Sequence, residues 1–222
     1  MNDNINSLLK AIPIIRRSYD DAYFDNVFFR ASPKSQRNRK RLALVRHYQP
    51  TGRLLEIGPG TGEFLSLATN HFEVEGIEVS SRALEFVEPE VKDRMRIGNI
   101  EEMRLPPYQY DVVAAFNVLE HLRNPAETVY MIRQTLVAGG CLVGTVPCNA
   151  GPIGRSYTTF SNYFDQTHCS TFEPDRWHAI FQQAGFSDVT FFGEAPIGPR
   201  LSIHITGSHW QQISPNMMFA CQ

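Results

Sequence analysis

The sequence predicts a doubly wound α/β fold, and three observations carry that prediction. Apolar runs alternate with amphipathic runs from Arg53 to Val146, the pattern of parallel strands joined by crossover helices. The first apolar run, Leu54-Leu55-Glu56-Ile57, turns on Gly58-Pro59-Gly60-Thr61-Gly62 and leaves as the amphipathic Glu63-Phe64-Leu65. A buried strand that turns on glycines into a helix delivers the chain to a ligand held over the helix start. Tyr110–Asn117, with Val112-Val113-Ala114-Ala115-Phe116 at its centre, is a further apolar strand.

At 222 residues the chain is long enough for one domain with a full core and an N-terminal extension. Apolar residues make up 42% and charged residues 20%, an ordinary globular balance, and the net charge of −2 gives no support to a partner chosen by bulk charge. Apolar runs are too short to span a bilayer. Ile12-Pro13-Ile14-Ile15 is too short for a signal peptide and is followed, not preceded, by Arg16-Arg17, so a cytoplasmic location is expected. Cys141, Cys148, Cys169 and Cys221 are scattered without a C-x-x-C pair, which argues against a zinc site or a disulfide framework.

Taken in order, Tyr19, Tyr23, Phe24, Phe28 and Phe29 form an aromatic group that either docks a leading segment on the core or serves as a lid. Ser32-Pro33 opens a helix over 34–48 that carries Arg37, Arg39, Lys40 and Arg41. These cations form a solvated face, with Leu42 and Val45 turned inward, or else meet an anionic substrate or RNA. Strands follow at 53–58, 73–79, 94–99, 110–117 and 141–146, with helices at 62–70, 80–87 and from Asn124. Asn124-Pro125-Ala126-Glu127 reads as a capping box, and Gly139-Gly140 as the helix end. The stretch from Pro147 to Ser170 is too long for a plain connection, so it is functional or has local structure of its own. A helix starts near Pro174, burying Trp177, Ile180, Phe181 and Ala184, and two strands at 188–193 and 201–206 follow. In the second, Leu201, Ile203 and Ile205 alternate with polar residues, as in a strand with one exposed face. No signal comes from 208–222.

The glycine turn discriminates between cofactors. A dinucleotide fingerprint, G-x-G-x-x-G, needs its third glycine at position 63, which is Glu63. Here Glu56, Gly58, Gly60 and Gly62 are each two apart, and a carboxylate in the first helical turn competes with a pyrophosphate for the helix dipole. The pattern therefore points away from NAD and FAD. Glu78, at the tip of the second strand, is placed to accept both hydroxyls of a ribose. At the end of the third strand Asn99 offers a carbonyl to an adenine amino group, and Ile100 covers the ring face.

With these residues in place, the sequence resembles the class I S-adenosylmethionine-dependent methyltransferases, in particular small-molecule enzymes related to those of quinone biosynthesis. Leu54–Gly62 resembles the family's first motif and Gly76–Ser80 its ribose motif. Tyr110–Val113 through Phe116-Asn117-Val118-Leu119-Glu120-His121-Leu122 resembles its fourth-strand motif, and Gly139–Leu142 the start of its fifth strand. The resemblance implies a Rossmann-like, mainly parallel seven-stranded sheet with an antiparallel final strand, and S-adenosyl-L-methionine as cofactor, leaving S-adenosyl-L-homocysteine. It further implies that Gly58, Gly60 and Gly62 line the methionine part, Glu78 with its neighbour Val79 the ribose, Asn99 and Ile100 the adenine, and Asn117 the methionine end. Asn99 departs from the family's usual Asp. Glu56 either touches the ligand or holds the turn through its own hydrogen bonds.

The expected reaction is in-line displacement onto a small-molecule acceptor, with O-methylation favoured over N- or C-methylation and no metal required. Phe116-Asn117-Val118-Leu119 lacks the N-P-P-Y type motif of enzymes that methylate exocyclic or amide nitrogens. Candidate catalytic residues are His168, with Asp165 to orient it, and His121. His168 and Asp165 could instead simply anchor the loop, and His121 suits a place in the site wall. A methyltransferase on RNA or protein, or a non-catalytic cofactor-binding protein, are the alternatives. The expected division is an N-terminal helical extension over 1–50, the cofactor-binding domain over 51–208, and a tail over 209–222.

Overall fold

A computed structural model describes residues 35–197, 201–205 and 209–222. The aromatic group at 19–29, the Ser32-Pro33 helix start, Pro199 and Thr206 lie outside the described residues. α1 (Gln36–Tyr48) begins at Ser35, whose hydroxyl accepts the Asn38 amide at 3.2 Å. Then come β1 (Gly52–Ile57), α2 (Glu63–Ala68), β2 (Phe72–Glu78), 3-10 turns at Ser81–Glu85 and Pro89–Arg94, β3 (Met95–Ile97) and β4 (Tyr110–Phe116). After a 3-10 turn at Leu119–His121 follow α3 (Pro125–Thr135), β5 (Leu136–Pro147), α4 (Gly151–Phe164) and α5 (Pro174–Gln183). The chain closes with β6 (Val189–Ile197), β7 (Leu201–Ile205), α6 (Trp210–Ile213) and β8 (Asn216–Cys221).

The strands form one sheet in the order β3-β2-β1-β4-β5-β8-β6-β7. The first five run parallel, while β8 is antiparallel to both β5 and β6, and β7 is antiparallel to β6. Alternate residues feed two cores. Leu54, Val112, Ala114, Phe116 and Val143 pack with Leu42 and Val45 of α1 and Phe64 and Leu65 of α2. Leu55, Ile57, Val113, Leu142 and Phe219 pack with Val129 and Ile132 of α3 and with Trp177 and Phe181 of α5. Helices on both faces of a parallel sheet leave its carboxyl edge as the place for a ligand.

Several expectations are corrected. The sheet has eight strands, not seven, because Asn216–Cys221 forms β8 between β5 and β6 with all six residues buried. Its Met-Met-Phe-Ala run is apolar towards both cores, so it has no alternation to read. The helix predicted over 80–87 is a 3-10 turn without a side-chain cap from Ser80. The third strand shrinks to three residues. α3 starts at Pro125, but Asn124 makes no side-chain cap; the distant Glu101 carboxylate accepts the Asn124 amide at 2.8 Å. That helix ends at Thr135, not at the glycine pair, because Leu136 is extended and pairs with Tyr110 of β4. The long stretch after β5 contains α4. In β7, Ile203 is 48% exposed, since an edge strand with one neighbour leaves it uncovered.

β4, β5 and β8 meet most tightly at Gly144. A Cβ there would stand 2.0 Å from the Ala115 carbonyl oxygen and 2.5 Å from the Phe219 ring. Gly144→Ala should therefore destabilise the protein by about 3 kcal/mol, the upper range for overpacking, as read by urea unfolding; an unchanged midpoint would contradict this packing.

Candidate functional site

β1 runs into the glycine turn at the carboxyl edge. Gly58 adopts φ +66°, its amide donates to the Ile77 carbonyl at 2.8 Å, and a Cβ would stand 2.6 Å from Val118. Gly62, at φ +79°, caps α2, and a Cβ there would meet Val91 at 2.8 Å. Only glycine has both the left-handed conformation and the space at these two positions. Glu78 ties this turn to β2. Its carboxylate accepts the Gly60 amide at 2.8 Å through one oxygen and the Ser80 amide at 2.9 Å through the other. Burial raises its pKa, opposed by donation from the backbone at Ser80, Gly60 and Val79.

A cavity of about 690 Å³ opens over this edge. Of the residues predicted from sequence, Gly58, Glu78, Val79, Asn99, Ile100, Asn117 and His121 line it. Gly60 and Gly62 shape the turn from beneath, and Glu56 lies outside the lining. Asn99 is committed to its own turn: its carbonyl accepts the Glu101 amide at 3.1 Å and its amide donates to Glu102 at 2.9 Å. Asn117 leaves β4 at φ +57°, held because its amide donates to the Thr145 carbonyl and its side-chain oxygen accepts the Thr145 hydroxyl, each at 2.9 Å. A non-glycine residue in that region marks strain maintained by its surroundings.

At the other end of the cavity the structure assigns different parts to the two candidate histidines. His121 lines the cavity, whereas His168 and Asp165 stand behind it. The Thr167 hydroxyl donates to the Asp165 carboxylate and lies 2.7 Å from His121 Nδ1. The ring also bonds the Thr167 backbone, so Thr167 holds it through two groups. His168 Nδ1 bonds the Asn162 side-chain carbonyl at 2.8 Å, and its ring meets the His121 ring edge-on at 4.6 Å. Burial, with the like charge of His168 second, pushes His121 down to about 4, and burial also lowers His168. His121 is thus neutral at physiological pH. One oxygen of Glu120 and one nitrogen of each histidine lie within 4.8 Å of one another, close enough for a shared cation.

The face of the sheet under α1 holds groups whose role sequence reasoning missed. Arg41 does not belong to a solvated basic face: its guanidinium lies over the Phe116 ring, 4.4 Å from the centroid, and its sealed Nε has no hydrogen-bond partner. Burial lowers its pKa, while Glu194, Glu56 and Glu63 oppose that. Glu56 is 3% exposed, with one oxygen lacking any partner, and burial raises its pKa to about 8. Glu120 likewise keeps an orphaned oxygen and rises to about 8 by burial. Three of these positions had a readable signal: Glu56 and Glu120 are acids inside apolar runs, and Arg41 sits one position before the inward Leu42.

Comparison with known proteins follows the same line. The methyltransferase domain family matches residues 24–190. The chain is 27% identical over 167 residues, 65% of its length, to a hybrid polyketide–nonribosomal peptide synthetase of Trichoderma harzianum, covering 4% of that protein. It is 24% identical over 159 residues, 62% of its length, to the malonyl-acyl-carrier-protein O-methyltransferase of Paenibacillus sp. (strain JDR-2), covering 56% of it. The chain thus spans a small fraction of one curated relative and about half of the other. Its fold is shared with an S-adenosylmethionine-dependent methyltransferase from Archaeoglobus fulgidus, at TM-score 0.68 and 21% identity, over 91% of this chain and 100% of that one. Among the described residues no helix is long and apolar enough to cross a membrane.

In an NMR titration His121 should stay neutral down to about pH 4. His168→Ala should move that midpoint upward, because it removes a like charge and admits water to the ring. A midpoint at the ordinary histidine value in the unsubstituted protein would contradict the buried pair.

Proposed function

The chain belongs to the methyltransferase domain family, and from that premise we propose that it is an S-adenosylmethionine-dependent enzyme acting on a small-molecule acceptor. The observation that carries the reading is the cavity at the carboxyl edge, lined by Gly58 of the glycine turn, Glu78, Ile100 and Asn117. S-adenosylmethionine ends in an ammonium and a carboxylate. Beside the glycine turn, Glu56 has a buried oxygen without a donor, and Arg41 a sealed Nε without an acceptor. Neither residue lines the cavity; from behind the turn Arg41 favours a carboxylate nearby, and an ammonium nearby favours the ionised form of Glu56. In the adenosine half, each oxygen of Glu78 accepts one backbone amide and keeps a further lone pair for a ribose hydroxyl. Ile100, 5% exposed, offers an apolar wall to the base, and Val79 of the ribose motif also lines the cavity.

When bound, the cofactor supplies a methyl group already activated by a sulfonium charge. The protein's tasks are then to align the acceptor, exclude water and take up a proton. His121 is the residue best placed for the last: it lines the cavity, and its neutral state leaves a lone pair on the ring. Thr167 and Asp165 position it through the hydroxyl that bridges the ring and the carboxylate, the arrangement in which one group orients the base that another group needs. His168 and Asn162 buttress the ring from behind. This gives the Glu120-His121 and Asp165–His168 segments complementary tasks, with His168 as a support in place of the base anticipated from sequence.

Two measurements test the reading. Isothermal titration should show binding of S-adenosylmethionine and S-adenosylhomocysteine but not NAD; binding of NAD alone would overturn the cofactor assignment, and Glu78→Ala should weaken both adenosyl ligands. The second measurement is a proton count. With its pKa near 8, Glu56 is mostly protonated at pH 7 in the free protein, and an ammonium beside it favours the ionised form. Cofactor binding at pH 7 should therefore release close to one proton, seen as a dependence of binding enthalpy on the ionisation enthalpy of the buffer. Glu56→Gln should abolish that dependence.

A further inference from the structure

The turn after β4 and the segment after α4 meet in a cluster of three side chains able to ligate a metal. Glu120 and His121 close the 3-10 turn at Leu119–His121, while His168 comes from beyond α4. The main chain fixes their meeting. The Cys169 and Ser170 amides donate to the Glu120 carbonyl, and the Ser170 hydroxyl donates to the Leu122 carbonyl at 2.7 Å. One carboxylate oxygen of Glu120 and one nitrogen of each histidine thereby come within 4.8 Å of one another. No metal-ligand spacing shows in the residue order, because the three donors converge only through this docking.

Two features mark the cluster as a place for an ion. Glu120 is 1% exposed, and its Oε2 has no hydrogen-bond partner, although a buried carboxylate oxygen is costly to leave unmet. Both imidazoles, moreover, are held from behind, as ligand imidazoles are. His168 Nδ1 lies 2.8 Å from the Asn162 side-chain oxygen, and the Asn162 amide group donates to the Thr171 hydroxyl at 3.2 Å. Engaged in this way, His168 offers its Nε2, which Asp165 Oδ2 approaches only to 3.6 Å, beyond a direct hydrogen bond. His121 Nδ1 rests on the Thr167 hydroxyl, which donates to the other oxygen of Asp165.

We propose that Glu120, His121 and His168 form a site for a first-row transition dication of the zinc class. Two imidazole nitrogens and one carboxylate oxygen suit zinc, whereas magnesium and calcium take oxygen ligands. Zinc bonds of about 2.0–2.2 Å set tetrahedral ligands roughly 3.3–3.6 Å apart, so the three atoms need to close in by no more than about 1.5 Å. Glu120 binds as its carboxylate, and any proton it holds passes to solvent. His121, the ligand on the cavity wall, gives the ion its way in. A neutral imidazole has one lone pair. An ion on His121 therefore takes the pair that the proton acceptor needs, and the metal-loaded and proton-accepting forms exclude each other. The site rests on its ligand geometry alone; only this exclusion rests on the methyltransferase reading.

The test begins with zinc chloride titrated calorimetrically into the full-length protein, stripped beforehand with a chelator that is then removed. Zinc should bind at one tight site, and the nitrogen-15 signals of both His121 and His168 should shift on loading. Glu120→Gln and His168→Ala should each weaken zinc at least about tenfold, the loss that even a supporting partner of a ligand brings. Should Glu120→Gln not fold, His168→Ala carries the test, its fold read by a cooperative urea transition. Cys169→Ser should leave the affinity unchanged, and excess magnesium should not displace the zinc. No zinc binding, indifference to the ligand variants, loss of binding in Cys169→Ser, or displacement by magnesium would overturn the site. Diethyl pyrocarbonate, which acylates an imidazole through its lone pair, should modify His121 more slowly once zinc is bound; an equal extent with and without zinc would overturn the exclusion. Titration of the zinc-free protein with S-adenosylmethionine tests the cofactor reading separately, and its failure would leave the zinc result standing.

Discussion

The Glu78 carboxylate is the joint on which the site depends. Through two short bonds it fastens the glycine turn after β1 to the tip of β2. The same two bonds offset the cost of burying a carboxylate at 5% exposure. A side chain that organises two loops and keeps lone pairs towards the cavity can be rigid before any ligand arrives, and pre-organisation of that kind lowers the entropic cost of binding. The left-handed glycines are consequences of this joint: the turn must bring the Gly60 amide back to Glu78 while passing Val118 and Val91 at distances no side chain tolerates.

Behind the glycine turn, on the same face of the sheet as Glu78, the opposite principle operates. Glu56, Glu120, Glu194 and Arg41 are desolvated, yet each retains an atom without a hydrogen-bond partner. In a well-packed interior such atoms are few, because each carries a desolvation penalty of about 1–3 kcal/mol or more. Their gathering at the carboxyl edge, under one helix, means that the fold has not spent its polar groups on itself here. Burial answers the penalty partly by protonation, as the raised pKa values of Glu56 and Glu120 record. These groups are held by packing, where the Glu78 side is held together by bonds already made.

Much of the cofactor half was legible in the residue order, and for a definite reason. The glycine turn, Glu78, Asn99 and Asn117 are local features, each at a strand end, and a parallel sheet brings successive strand ends to one edge whatever their loops contain. The half across β5 was not legible in the same way. β8 carries no alternation because both its faces are buried, so Asn216–Cys221 resembles a tail. α4 was hidden in a segment that begins with glycine and proline and shows aromatic residues all round. Arg41 shares a helix with Arg37, Arg39 and Lys40, and only its place beside the inward Leu42 hints at the cation that turns in over Phe116. His121 and His168 were both visible as candidates, but which one reaches the cavity depends on the path of residues 165–170. That path is fixed by the Cys169 and Ser170 amides, which donate to the Glu120 carbonyl at 2.9 and 2.8 Å.

The architecture therefore divides its work between two kinds of pairing. Parallel strands with short turns present backbone amides, glycines and one anchored acid, which suit a fixed ligand common to many acceptors. The antiparallel strands β8, β6 and β7 present side chains by register alone, so a change of one residue in β6 changes what faces the edge without disturbing the turn at Gly58 or the Glu78 joint. Sequence variation is then cheapest in the antiparallel half and costliest at the glycine turn. That asymmetry explains how the parallel half can be plain from sequence patterns while the antiparallel half is not: its strands acquire their neighbours only once the chain has folded.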